Sequence, residues 1–219
     1  MYIDFNMPPA PEIAEIVSAY WSRYFFVGSP SGNYQINTLA NTFVRVTEAA
    51  IVEYEFGTTA VREFWSESRA LHLSSMHRAI SHFETSLADV HRSIEVFRRL
   101  RNHKERDRLA IYLAAYKPGF VSDAVATSFR EIRNTIHHLG EKVLNGQISE
   151  GQPIALKPDG SEIPHPTEAG QTIKIIDRLV IGPHEITFVD LVATFGELSA
   201  AAAYMAGCAP HLVQRAASN

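Results

Sequence analysis

Residues 73–97 read LSSMHRAISHFETSLADVHRSIEVF, and within them Leu73, Met76, Ile80, Phe83, Leu87, Val90, Ile94 and Phe97 recur in steps of three and four. Such a period gathers apolar side chains on one stripe of an α-helix, so the spacing predicts a single helix of roughly thirty residues lying along a bundle. A coiled-coil seam has the same spacing, but this stretch stands alone and mixes Phe and Met into its inward positions, which favours a bundle.

The neighbouring segments repeat the pattern. Upstream, Ile13, Ile16, Val17, Tyr20, Trp21 and Tyr24 form one apolar face, and Ile36, Leu39, Phe43, Val46 and Ala50 form another, expected to stop at Gly57, with a short helical piece over Ala60 to Trp65. Between them, Gly28 to Asn33 is a loop by composition, and the proline-bearing residues 1–11 make a leading arm. Downstream, Leu109, Tyr112, Leu113 and Tyr116 give a short helix broken at Lys117-Pro118-Gly119. Val121, Val125, Phe129, Ile132, Ile136, Leu139 and Val143 then mark a long helix that Ser122 or Asp123 caps and Asn145-Gly146 ends.

Beyond Gly146 the chain turns Pro- and Gly-rich. Two strands, Thr172 to Ile181 and His184 to Val189, meet at Gly182-Pro183, so residues 147–189 read as a small β-hairpin insertion. A last helix follows Asp190, and the tail from Ala209 is expected to fray. The expectation is one mainly all-α domain over residues 1–219, an up-down helical bundle with a hairpin inserted before its last helix.

A net charge of −4 and a pI near 6.2 argue against a protein coated in nucleic acid through a broad basic surface, so any such contact must be local or built by pairing two chains. One cysteine, Cys208, excludes an internal disulfide framework and fits a reducing compartment. The start lacks a signal-peptide core, and no apolar run is read as approaching the ~20 residues of a membrane span. A cytoplasmic protein without a membrane contact is the resulting expectation.

The chemistry concentrates at Arg133-Asn134-Thr135-Ile136-His137-His138, where a guanidinium, an amide and two imidazoles lie beside the apolar stripe of one helix. Asn134 and His138 are four apart and share a face. Arginine followed at once by asparagine and then, after three residues, by histidine resembles the motif of the HEPN superfamily, helical-bundle proteins of prokaryotic toxin, antitoxin and defence systems and of some eukaryotic RNA-processing enzymes. The resemblance extends more loosely over the helices from about Tyr34 to Asn145 and the final helix. It implies a metal-independent endoribonuclease that needs no cofactor, in which the 2′-hydroxyl of RNA attacks the adjacent phosphorus and leaves a 2′,3′-cyclic phosphate. It also implies a homodimer whose two motifs face each other, with RNA and an antitoxin or other protein as partners.

In that reading Arg133, Asn134 and His138 are the catalytic residues, with His137 as the alternative imidazole. Histidine exchanges a proton near neutral pH, arginine holds phosphate oxygens through paired donors, and asparagine orients the ring or donates to phosphate. The other reading of the same residues is a pair of exposed helix histidines with Arg133 paired to Glu131 or Glu141. A second function class is a non-catalytic module of the same fold that binds nucleotide, RNA or a partner protein.

Residues 98–108, RRLRNHKERDR, carry six Lys or Arg against two acids. They read either as a solvated helix end or as a phosphate-contacting rim formed by Arg98, Arg101 and Lys104. Trp21, Trp65 and Phe83 read as core rather than base-stacking platforms. No His-Glu-x-x-His, phosphate loop or Gly-x-Ser-x-Gly elbow is present, which removes zincin, nucleoside-triphosphatase and esterase readings.

Overall fold

The structure is a computed structural model that describes residues 2–66, 73–105, 107–148 and 154–208. Along the chain run β1 (Tyr2–Phe5), α1 (Ala14–Val27), α2 (Tyr34–Ser66), α3 (Leu73–Arg101) and α4 (Arg108–Ala115). A 3-10 turn at Gly119–Val121 leads into α5 (Asp123–His137), α6 (Leu139–Leu144), β2 (Ile154–Pro164), β3 (Thr172–Ile181), β4 (His184–Thr187) and α7 (Phe188–Gly207). The architecture is mainly helical, with a small sheet at one end.

The backbone of the fold is the antiparallel pair α2 and α3, of 33 and 29 residues. The expected period of α3 is realised: Phe83, Leu87, Val90, Ile94 and Phe97 are all buried. Gly57, expected to stop α2, instead lies inside it. A Cβ built there would sit 2.7 Å from Cε1 of the Phe83 ring. Glycine is therefore a packing device that lets the two helices approach, and tertiary contact outweighs its low helix propensity. Tyr54 forms the hub of the core, with the rings of Phe83, Phe188 and Phe195 at centroid distances of 6.1, 6.2 and 5.3 Å. The seam's polar groups are satisfied: Thr47 donates to Ser93 Oγ at 3.2 Å, and Ser86 Oγ to the Ala50 carbonyl at 2.7 Å.

The expected hairpin is larger than two strands. Among the described residues the sheet has four, with β3 paired antiparallel to both β2 and β4 and parallel to β1. β2 carries Pro158 and Gly160, and its register shifts on either side of Pro158, so a bulge absorbs the residues that made this segment look like a loop. β1 comes from the proline-bearing arm, and Tyr54 pins that arm through its hydroxyl to the Pro8 carbonyl at 2.8 Å. β4 ends at Thr187, not Val189. Thr187 rather than Asp190 caps α7, accepting from the Asp190 N–H at 3.0 Å. The tail from Ala209 lies outside the described residues.

By length and composition α7 is apolar enough to cross a membrane, contrary to the expectation that no run approaches that length. Here its Phe188, Leu191, Phe195, Leu198, Ala201, Ala202 and Met205 are buried in the core. Cys208 at its end is buried, and burial pushes its thiol up.

Two contacts set the pose of α5. Glu197 of α7 accepts from the Phe120 N–H at 2.8 Å and fills the space that a Cβ on Gly119 would need, fixing the 3-10 turn. At the other end the β3–β4 turn presses on Thr135, since a Cβ on Gly182 (φ +55°) would lie 3.0 Å from Thr135 Cγ2. The sheet thus props the back of the helix that carries the motif.

Candidate functional site

Ser122 caps α5 through the Val125 N–H, and Ala126, Phe129, Ile132 and Thr135 face inward. This line is rotated from the expected stripe, whose last member, Val143, is 47% exposed. The long helix expected over Ser122 to Asn145 is in fact two. His138, with φ −104° and ψ 21°, closes α5 while its N–H still reaches the Asn134 carbonyl at 3.0 Å.

Opposite the buried line, α5 faces α3 across a groove of about 730 Å³. Arg130, Arg133, Asn134 and His137 line it from α5. Asp89, His91, Arg92, Glu95 and Arg99 line it from α3, with Thr42 of α2 at its edge. Helical geometry explains the choice of histidine. At about 100° per residue, His137 lies within about 20° of Arg130 around the helix, whereas His138 lies about 80° away.

The structure therefore brings Arg133, Asn134 and His137 together and leaves His138 outside the lining. His137 and His138 are both exposed, as the alternative reading of the pair expects, and Nδ1 of His138 lies 3.2 Å from Glu141 Oε2. Arg133 Nη1 donates to Asn134 Oδ1 at 3.2 Å, which directs the amide's NH2 away from the guanidinium. Arg133 pairs with neither Glu131 nor Glu141, and Arg92, Arg99 and Arg133 form no ion pair among the described residues. Arg130 meets Glu95 at 3.5 Å.

The expected basic rim does not assemble at this groove. Arg98 is held by Asp123. Arg101 donates from Nε and Nη2 to the carbonyls of Leu113 and Ala114, each at 3.2 Å, closing the C-terminus of α4. Lys104 is exposed and lies outside the lining.

His91 is the residue that the motif did not indicate. Its Nδ1 is buried without a hydrogen-bond partner among the described residues. Burial pushes its pKa down, Glu95 opposes, and Arg133, Arg130 and Arg99 push it down further, so the ring is neutral at neutral pH. Burial likewise pushes the Asp89 carboxyl up, against the pull of Arg92 and Arg45. A trace of this face existed in the sequence, because His91, Glu95 and Arg99 step by four along a helix whose apolar stripe was already read.

Four guanidinium groups against two carboxylates make the groove locally cationic on a chain of net charge −4. Among the described residues no three His, Cys, Asp or Glu side chains gather as metal ligands. Compared with protein-family models, with curated proteins and with solved structures, the chain matches none of them.

Proposed function

We propose that this chain is a metal-independent endoribonuclease of the HEPN type, acting as a homodimer, with the α3–α5 groove as its phosphodiester site. The observation that carries the reading is the convergence in one groove of four arginines, of which Arg92, Arg99 and Arg133 form no ion pair among the described residues, with an oriented amide and two imidazoles. Arg133 with Arg92 and Arg99 holds the non-bridging oxygens as negative charge builds on phosphorus. The 2′-oxygen forms its bond to phosphorus as the bond to the 5′-oxygen breaks, giving a 2′,3′-cyclic phosphate and a free 5′-hydroxyl. One proton must leave the 2′-hydroxyl and one must reach the departing 5′-oxygen. His91, held neutral, is equipped to accept the first, and His137 to deliver the second.

The test is cleavage of a fluorescent RNA in the presence of a chelator, with product ends identified by mass. Cyclic phosphate ends that vanish with Arg133→Ala and His137→Ala, but survive His138→Ala, are the expected result. Absence of cleavage by the wild-type dimer at every RNA tried would sink the reading.

One observation favours the second reading, a non-catalytic HEPN-like module that binds nucleotide, RNA or a protein partner. His138, the histidine at the motif's spacing, is turned away from the groove toward Glu141. In that case wild-type protein retains RNA or nucleotide without cutting it.

A further inference from the structure

A second pocket of about 530 Å³ lies between α1 and α2, and Thr42 lines both it and the arginine groove. Its walls are of a different kind. Trp21 and Tyr24 meet edge to face at 5.8 Å on one side, and Tyr34, 82% exposed, stands on the other. Trp21, expected in the core, packs against it but is half-buried and also lines this pocket. The side chain of Trp65 lies outside the described residues.

Asn41 contributes the pocket's oriented polar group. Its Oδ1 accepts from the Tyr20 hydroxyl at 2.6 Å, which leaves the Nδ2 donors for another partner. Asn37, by contrast, is consumed: it accepts from the Ser31 N–H and donates to the Ser31 carbonyl, holding the loop that forms the rim. One helical turn beyond Asn41, about 5–6 Å along α2, stands Arg45, exposed and without an ion pair among the described residues.

We propose that this pocket is a base subsite: it stacks one nucleobase of single-stranded RNA between Trp21 and Tyr34, with Tyr24 edge-on to Trp21 beside it, Asn41 donates to the base edge, and Arg45 passes the attached phosphate to the arginine groove. Aromatic faces accept any base, and a guanidinium beside them tracks the backbone. A peptide would be served by the aromatic walls but not by the cationic groove that continues from them. The proposal rests on reading that groove as a phosphodiester site.

The experiment uses full-length Trp65→Phe, which leaves Trp21 as the sole tryptophan of two. A 12-nucleotide 2′-O-methyl RNA, which binds but cannot be cut, is titrated against it, with tripolyphosphate as a ligand bearing charge and no base. Trp21 fluorescence should respond to the RNA and not to tripolyphosphate, and Tyr34→Ala should weaken RNA binding about tenfold. Tyr34 is exposed, so that variant remains folded, as circular dichroism will verify. If the wild type cleaves RNA, yet Tyr34→Ala and Asn41→Ala leave KM unchanged and Trp21 is silent, the base subsite is overturned while the nuclease stands. If Trp21 responds and Tyr34→Ala weakens binding but no RNA is ever cut, the subsite stands and the nuclease falls. Equal response to tripolyphosphate and RNA also overturns it.

Discussion

The two faces of α3 are built to opposite rules. Toward α2 the helix is dry and closely packed: Gly57 admits the Phe83 ring, Phe43 and Phe97 meet at 4.9 Å, and the few hydroxyls are paired. Toward α5, among the described residues, Arg92 and Arg99 form no ion pair and His91 Nδ1 has no hydrogen-bond partner, around an open groove. The buried His91 nitrogen without a partner lowers stability, whereas the exposed guanidinium groups of Arg92 and Arg99 stay solvated, and such a feature persists where a scaffold tolerates it. The seam is that scaffold. In the groove it carries, Arg130 pairs with Glu95 and Arg133 bonds Asn134, while Arg92 and Arg99 form no ion pair among the described residues.

Substitutions should separate the two faces, and the largest effect belongs to the seam. Phe83→Ala empties a fully buried ring site and is expected to cost about 3–5 kcal/mol in urea denaturation. Loss of much less would mean that the seam collapses readily and is no scaffold. Arg133→Ala should do the reverse, lowering cleavage about 100-fold while the urea midpoint hardly moves. A large loss of stability in that variant would merge the two faces and make Arg133 structural. Gly57→Ala brings overpacking of about 1–3 kcal/mol against the buried Phe83 ring, offset by about 1 kcal/mol of helix propensity, so a small net destabilisation should remain.

The smallest effect is the pH dependence from His91. Its folded pKa is depressed, so as pH falls through about 6.5 the unfolded chain takes up a proton that the folded ring refuses. The contribution is present above that range and is lost as pH falls toward the folded value. His91→Gln should therefore show a shallower loss of stability between pH 7.5 and 5 than the wild type. Identical slopes would place His91 outside the electrostatics of the groove.

Much of the helical frame was legible in the residues. The steps of three and four from Leu73 to Phe97 mark a helix found at Leu73–Arg101, and of the two expected caps of α5, Ser122 and Asp123, Ser122 is the one that caps it. Two features differ from the sequence reading for identifiable reasons. Gly57 carries the local signature of a helix stop, but its meaning depends on a ring contributed by another helix. β1 and β2 contain or adjoin prolines and glycines, and only pairing with β3 makes strands of them. Motif spacing points to His138, whereas rotation around the helix puts Arg130, Arg133, Asn134 and His137 on the face that lines the groove, and that face could have been drawn from the sequence. His91 is different, because nothing local ties α3 to the motif.

Periodicity and capping are local, involving residues within two turns of each other, and so the one-dimensional order of side chains determined which segments coil, which side of each is apolar and where an arginine, an amide and two imidazoles fall on α5. Which of those polar groups meet the cations of α3, which arginines are consumed by Asp123 or by the end of α4, and which remain open was decided only when distant segments packed. A charge's surroundings are a property of three-dimensional neighbours, and no spacing along the chain encodes a neighbour some forty residues away.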